Sequence, residues 1–377
     1  MKILQLGKFY PIRGGVEKVM WDVTRGLCAD GVDCDMLCAF DKASIKDGDV
    51  LPEKGEIVFN DHGRCICVPA LGKFAATMLS PAMILYLRRH CKDYDIIHVH
   101  HPDPMAALAL RHSGYRGRVI LHWHSDILKQ KLFLKFYKPL QNWLTRRADL
   151  ILGTTPVYVQ QSPYLQKVQD KISYVPIGIE PIRYDASMAE ELRKSVDGRK
   201  IVFSLGRLVS YKGYGFLVDS AKYLPEDYIV VIGGMGPLEA ELKRQISESG
   251  LEGRVLLTGY LTDEEAHAWM GACSLFVLSS VMKTEAFGIV QIEAMSCGKP
   301  VIATCIPGSG TSWVNEDGVS GLNVRIEDSK ALAEAVLKIC EDAGTYSDFC
   351  QKARLRYEKL FTNGSMIELL KNKYDIC

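Results

Sequence analysis

The sequence predicts an α/β protein of two doubly wound domains, each a mostly parallel sheet covered by helices on both faces. Three observations predict it. The chain has 377 residues, more than one hydrophobic core holds and enough for two domains of roughly 150–200 residues. Short apolar runs alternate with longer stretches of helical spacing, the β-α-β rhythm of buried parallel strands. That rhythm stops at residues 175–181, VPIGIEP, where two prolines and a glycine intervene, and then restarts.

In the first half, ILQL at residues 3–6 reads as a buried strand. Val16, Val19, Met20, Val23 and Leu27 follow at helical spacing. Further strands are expected at residues 35–39, 95–99, 119–122 and 150–153, with helices at 105–111 and 132–147 between them. In the second half, strands at 201–205, 229–232, 255–257, 275–278 and 301–303 form a second series, with helices at 216–224 and 289–295. The first domain is therefore expected to span residues 1–178. Ligands of such sheets bind outside the carboxyl ends of the strands, so two domains facing one another would hold a ligand in a cleft.

Apolar residues make up 47% and charged residues 24%, an ordinary globular balance. The net formal charge of +1 gives no reason to expect a nucleic-acid partner. The charge is unevenly spread, +7 over residues 1–178 and −6 over the rest, so the two halves are expected to meet different partners. The twelve cysteines show no framework spacing and no paired CxxC, which speaks against a zinc site. Cys28, Cys273, Cys297 and Cys340 lie in apolar stretches and read as small core residues. The opening MKILQLG is too short for a signal peptide, and no run reaches the 18 or so apolar residues of a spanning helix. A reducing cytoplasm is the expected compartment.

Four loops after strands carry candidate chemistry. GKFYPIRGGVE, residues 7–17, opens the first helix, and Gly14 and Gly15 would let the backbone approach an anion at the helix start. GRLVSYKG, residues 206–213, puts Arg207 and Lys212 at a strand's carboxyl end, where two fixed cations suit a diphosphate. EAFGIVQIE, residues 285–293, places Glu285 before a helix and Glu293 within it, with the first helical N–H groups near Phe287, Gly288 and Ile289. VILHWHSD, residues 119–126, sets His124 just beyond a strand, where it could meet a sugar hydroxyl or a phosphate. Solvated surface charges and plain strand-helix turns are the alternative readings of each loop.

Two further clusters stand apart. Residues 128–150 carry six Lys or Arg and one Asp among Leu132, Phe133, Phe136, Leu140, Trp143 and Leu144. A core-packing helix with a basic outer face fits this pattern, and so does a helix lying on an anionic membrane surface. His98, His100, His101 and His122 fall close together in the strand series, but no carboxylate or cysteine set completes a site, so no metal is expected.

Taken in order, these pieces resemble the retaining glycosyltransferase family 4 of GT-B fold, in the type that builds bacterial O-antigen, capsule or exopolysaccharide. The resemblance covers nearly the whole chain: Gly14–Gly15, His124, the pair Arg207 and Lys212, GGMGP after Val231, and the Glu285 and Glu293 spacing. It implies two Rossmann-like domains facing across a cleft, the first binding the acceptor and the second, residues 179–359, binding the donor, with residues 360–377 crossing back to the first. It also implies roles. Arg207 and Lys212 would neutralise the donor diphosphate, and the backbone of Phe287, Gly288 and Ile289 would meet phosphate and sugar. Glu285 would hold the transferred sugar, Glu293 the ribose, and Gly236 and Leu261 the base. Gly14 and Gly15 would meet the phosphate from the first domain, and His124 the sugar. The implied donor is a GDP- or UDP-sugar, the implied acceptor a saccharide or a lipid-linked saccharide, and no cofactor is required. An anionic inner membrane surface is a candidate partner. The alternatives are a GT-B epimerase and a non-catalytic glycan- or nucleotide-binding protein; a nicotinamide dehydrogenase is disfavoured because GxGxxG is missing from the first loop.

Overall fold

The first strand, β1 (Lys2–Tyr10), is buried along most of its length, and helix α1 (Gly15–Ala29) turns Val19, Met20, Val23 and Leu27 onto the sheet. The computed structural model describes residues 1–74, 77–127 and 131–376, and the side chains of all of these except 74 and 131–136. After α1 come β2 (Asp33–Phe40), β3 (Glu56–Asn60), β4 (Gly63–Pro69) and the short pair β5 (Gly72–Phe74) and β6 (Thr77–Leu79). Then follow α2 (Pro81–His90), β7 (Ile96–His101), α3 (Pro104–Ser113), β8 (Arg118–Trp123), α4 (Lys131–Arg147), β9 (Leu150–Gly153), α5 (Pro156–Gln160) and β10 (Ile172–Tyr174).

Eight of these strands form one sheet in the order β10-β9-β8-β7-β1-β2-β4-β3, parallel except where β3 meets β4. The strand order reverses between β1 and β7, so the loops after these two strands diverge and leave a crevice at their carboxyl ends. Strands β3 and β4 are absent from the expected series, although residues 65–68 of β4 are a short, buried apolar run. β3 alternates partly buried and exposed residues, as an antiparallel edge does. Gly63 starts β4 because a Cβ there would stand 1.9 Å from the Cys34 carbonyl oxygen.

The second series runs α6 (Ala186–Ser195), β11 (Lys200–Leu205), α7 (Tyr214–Ser220), β12 (Tyr228–Gly233), α8 (Glu239–Glu248), β13 (Val255–Gly259), α9 (Asp263–Ala272) and β14 (Leu275–Leu278). It ends with α10 (Ile289–Ser296), β15 (Val301–Thr304), α11 (Thr311–Val314), β16 (Gly321–Val324), α12 (Ser329–Ile339), α13 (Ala343–Leu360) and α14 (Asn363–Tyr374). Six strands form an all-parallel sheet in the order β13-β12-β11-β14-β15-β16. Its strands are near-continuous apolar runs because both faces are covered. Leu217, Val218, Leu332, Val336 and Ile339 close one face over Val230, Ile232 and Ile302. The order reverses between β11 and β14.

The chain divides into two compact units, Met1–Gly178 with Asn363–Cys377, and Ile179–Thr362. Helix α14 is part of the first unit. Ile367 fits where Gly26 of α1 has no side chain, since a Cβ on Gly26 would come within 2.6 Å of Ile367. Lys371 pairs with Asp30 at 3.0 Å, and Leu370 and Tyr374 are fully buried. Burying side chains of this size stabilises by roughly 1.5–3 kcal/mol each. Of the cysteines read as core residues, Cys28 and Cys273 are buried, whereas Cys297 and Cys340, at the ends of α10 and α12, are only half-buried. Among the described residues no helix is long and apolar enough to cross a membrane.

Candidate active site

In the second unit the loops after β11 and β14 flank the point where the strand order reverses, and they carry Arg207, Lys212 and Glu285. Backbone zips the parts together. Gly206 donates its N–H to the Gly233 carbonyl at 3.0 Å, and Leu208 donates to Met235 at 3.0 Å. A Cβ on Gly234 would stand 2.1 Å from the Gly206 oxygen, and one on Gly236 2.4 Å from the Leu208 oxygen. The glycines of GGMGP are therefore needed for two backbones to touch. Leu261 lies over Gly233 in the same way, with its Cδ1 2.7 Å from where a Cβ would be.

Lys212 ends a short 3₁₀ turn, and Gly213 follows at φ +66° against the Ser279 carbonyl. Ser279 Oγ donates to the Lys212 carbonyl at 2.9 Å, and Val281 N–H donates to the Tyr211 carbonyl at 2.8 Å. These contacts bring the two loops side by side. Lys212 Nζ then donates to Glu285 Oε2 at 2.6 Å, and Ser280 Oγ donates to the same oxygen at 3.1 Å. The two side chains are only 11% and 13% exposed. Ser309 Oγ donates to the Glu285 carbonyl, fixing the backbone as well. Nearby, burial first and the charge of Glu285 second push the Tyr214 phenol well above its ordinary value. Arg207, by contrast, is exposed.

Helix α10 begins where Gly288 adopts φ +75° with no side-chain cap. A Cβ there would meet Leu278 and Gln291 at 2.8 Å, so the tight entry needs glycine. The first N–H groups of a helix have no partner within it, and with the macrodipole they favour an anion. Phe287 turns its ring inward against Phe361, with centroids 6.0 Å apart, which leaves its backbone as the part able to face a ligand. Ile289 and Glu293 are half-buried, Glu293 on the second turn.

In the first unit Gly14 caps α1 in extended conformation, and Gly15 is exposed at its first position. The buried Glu17 carboxylate folds over Gly14, where a Cβ would lie 2.2 Å from Oε2. This helix start thus already has an anionic side chain of its own. His124 follows β8 directly and is 5% exposed. It does not stand alone: His98, His100, His122 and His124 lie on adjacent strands with their rings stacked, His122 on His124 at 4.1 Å. Burial, reinforced for most of them by neighbouring imidazoles, holds all four well below the ordinary histidine value.

Two clusters have metal-ligating atoms close together. His100, His122 and His124 form one, but face-to-face rings aim their lone pairs in parallel planes instead of at a common centre. Both nitrogens of His100 are also already hydrogen-bonded. Cys38, Cys65 and Cys67 form the other, with sulfurs 3.5, 3.7 and 3.9 Å apart. They could hold a soft ion; the sequence hides this because Cys38 and Cys65 are brought together only by the pairing of β2 with β4. In the basic segment 128–150 the side chains of Leu132, Phe133 and Phe136 lie outside those described. Beyond these, Leu144 is buried and Arg111 lies over the Trp143 ring at 5.4 Å.

Comparison with known proteins places this arrangement. Residues 13–183 match the Glycosyltransferase Family 4 model, and residues 189–356 match that of Glycosyl transferases group 1. O-antigen chain mannosyltransferase C of Escherichia coli is 33% identical, over 99% of this chain and 98% of that one. The chain is a family 4 glycosyltransferase. Another relative is the D-rhamnosyltransferase WbpZ of Pseudomonas aeruginosa, 29% identical over 96% of the glycosyltransferase and 92% of its own length. Among solved structures, Anabaena HepE in complex with UDP covers both chains completely with a TM-score of 0.79 at 21% identity. The lipopolysaccharide glycosyltransferase WaaG covers 99% of each chain with a TM-score of 0.65 at 16% identity. The glycosyltransferase therefore has the GT-B fold expected from its loops.

Proposed function

We propose that this glycosyltransferase moves a hexose from a GDP- or UDP-sugar to a saccharide or lipid-linked acceptor in bacterial surface polysaccharide synthesis, with retained anomeric configuration and without a metal. The observation that carries the reading is the convergence of Lys212, Glu285 and the start of α10 at one reversal of strand order. Mannose is the first candidate sugar, in keeping with the name of the Escherichia coli relative.

The chemistry follows from charge. As the bond from C1 of the sugar to the β-phosphate breaks, the leaving nucleoside diphosphate gains negative charge. Arg207, Lys212 and the backbone N–H groups of Gly288 and Ile289 receive it, Lys212 from a position held by Glu285 and Arg207 from the exposed rim; donors fixed in advance are the most effective form of transition-state stabilisation. These donors leave no need for a cation. Glu285 accepts hydrogen bonds from hydroxyls of the transferred sugar and orients it. Glu293 holds the ribose, Gly236 and Leu261 lie against the base, Gly14 and Gly15 approach the phosphate when the Glu17 carboxylate moves off the helix start it covers, and His124 meets the sugar. The acceptor oxygen attacks C1 on the face from which the diphosphate departs, and its proton passes to a leaving phosphate oxygen. That geometry retains configuration and requires no protein nucleophile.

The +7 charge of residues 1–178 and the basic α4 suit the anionic inner face of the cytoplasmic membrane. Vesicle cosedimentation tests this: stronger binding to anionic than to neutral vesicles supports it, and equal binding refutes it. The transfer reaction is tested by incubating the protein with UDP- and GDP-hexoses and a saccharide acceptor. Release of nucleoside diphosphate that depends on the acceptor supports transfer; release without acceptor, or none with any donor, refutes it.

A further inference from the structure

The mechanism leaves unexplained a glutamine in the middle of β1. Gln5 is fully buried between β2 and β7, where an amide is costly unless each of its groups is bonded. Its Oε1 accepts from His100 Nε2 at 2.9 Å, and its Nε2 donates to the Tyr374 hydroxyl at 3.2 Å and toward Cys34 Sγ at 3.7 Å. Tyr374, from the C-terminal helix α14, is itself fully buried and lies 2.5 Å from His98 Nδ1. At the other end, His100 Nδ1 lies 2.9 Å from His124 Nε2. A single chain of hydrogen bonds thus runs from α14 through β1 and β7 to the residue after β8.

A neutral imidazole has one N–H and one lone pair, so each bond dictates the next. Because Gln5 presents its oxygen, His100 donates from Nε2 and keeps its lone pair at Nδ1. His124 must then donate from Nε2, which leaves its own lone pair at Nδ1. That nitrogen has no hydrogen-bond partner among the described residues although it is buried. We infer that Gln5 and Tyr374 are positioning residues that fix His124 as a hydrogen-bond acceptor at Nδ1, turned toward a hydroxyl of the bound saccharide. The inference rests on the reading that His124 meets the sugar, and it excludes the donor role toward phosphate that a histidine at this place could equally play. With the Gln5 nitrogen turned toward Cys34 and Tyr374, the Tyr374 hydroxyl accepts from Gln5 and donates to His98 Nδ1, so the C-terminal helix closes a network that reaches a loop 250 residues earlier in the chain; the reversed amide would give the opposite proton order, with Nδ1 of His124 protonated.

The test is nitrogen NMR of the full-length protein labelled with ¹⁵N-histidine, the His124 signals being assigned from their loss in His124→Asn. The expected pattern near neutral pH has Nε2 protonated and Nδ1 bare in both His100 and His124. A protonated Nδ1 in His124 overturns the inference and leaves the site reading standing. Tyr374→Phe and Gln5→Leu should each give a mixture of His124 tautomers and lower kcat/KM by about tenfold or more, with no further loss when added to His124→Ala. If the two variants are merely less stable while the His124 tautomer and kcat/KM are unchanged, the positioning role is overturned. Full activity of His124→Ala overturns both the site reading and this inference.

Discussion

Lys212 and Glu285 are 73 residues apart in sequence, yet the ammonium of one donates to the carboxylate of the other at 2.6 Å. The pair ties the loop after β11 to the loop after β14, the two loops that part at the reversal of strand order. Both groups are largely withdrawn from solvent, so each is neutralised chiefly by the other, and Ser280 adds a hydrogen bond to the carboxylate. The arrangement couples the cation proposed for the leaving phosphate to the anion proposed for the sugar.

Lys212→Ala and Glu285→Ala should therefore each lower turnover by at least about 10²–10³-fold, the usual cost of removing one preorganised charge partner. Each leaves an unpaired charge behind, and stability should fall by up to about 3 kcal/mol. The double variant should lose less stability than the sum of the singles, because the orphaned charge disappears. Acceptor-dependent release of nucleoside diphosphate and urea unfolding measure the two effects. A single variant with full turnover removes these residues from the mechanism.

Gly234 and Gly250 both sit at positive φ, +130° and +62°. A side chain at Gly250 meets nothing within 4 Å, whereas one at Gly234 runs into the Gly206 carbonyl. Gly250→Ala should cost about 1 kcal/mol from backbone strain alone. Gly234→Ala should cost more and also weaken nucleotide binding, because it forces apart the two glycine loops beside Arg207. Equal losses in urea unfolding for the two variants would show that the loop contact is not as close as described.

The strands of both sheets are legible in the sequence because they are continuous apolar runs of the right length, and the Lys212 and Glu285 loops are legible because each follows such a strand. What escapes is whatever depends on pairing across distance. β3 alternates in burial and carries no long apolar run, and in β4 the run at residues 65–68 is only four residues long and half cysteine. The cysteine trio exists only once β2 and β4 align, and Tyr374 gives no local sign that it belongs beside Gln5 and His98. Gln5 offered the one clue, a polar residue inside an apolar strand, which a buried network explains. Glu17 shows the converse limit: the spacing of GGVE reads as an open anion site, but the side chain of the motif folds over its own helix start.

A screen of UDP, GDP, dTDP and ADP by thermal unfolding should single out one base, since stabilisation grows with occupancy and reaches about 2.7 kcal/mol at a hundred times the Kd. Glu293→Ala should shrink that gain by about 1.4 kcal/mol for a tenfold weaker ribose contact, whichever base is preferred. Replacing the nucleotide with inorganic pyrophosphate should abolish the difference between wild type and Glu293→Ala. If the difference persists with pyrophosphate, Glu293 acts on the phosphates or on the fold, and its assignment to the ribose is wrong.

Acid should destabilise the first unit earlier than its carboxylates alone would. Burial pushes His101 and His122 down to about 3, and His98, His100 and His124 move the same way. In the unfolded chain these imidazoles take up protons near 6.5, the ordinary value. Between about pH 6.5 and 3 the unfolded state binds protons that the folded state refuses, so stability is complete above this window and falls as pH drops through it. Each imidazole contributes about 1.4 kcal/mol per pH unit once its unfolded form is fully protonated. The lowered carboxylates Asp49, Asp185, Asp328 and Asp342 titrate below 3.8 and add nothing near pH 6. Asp103, whose carboxyl burial pushes up, acts in the opposite sense only at the acid end. His122 hydrogen-bonds to nothing among the described residues through either ring nitrogen, so His122→Phe removes one titrating group without breaking the chain to Gln5. Urea unfolding between about pH 7.5 and 5 should show stability falling steeply below pH 6.5, and His122→Phe should reduce that slope by about one proton. A slope untouched by the substitution would mean that His122 takes up its proton in the folded protein as readily as in the unfolded chain.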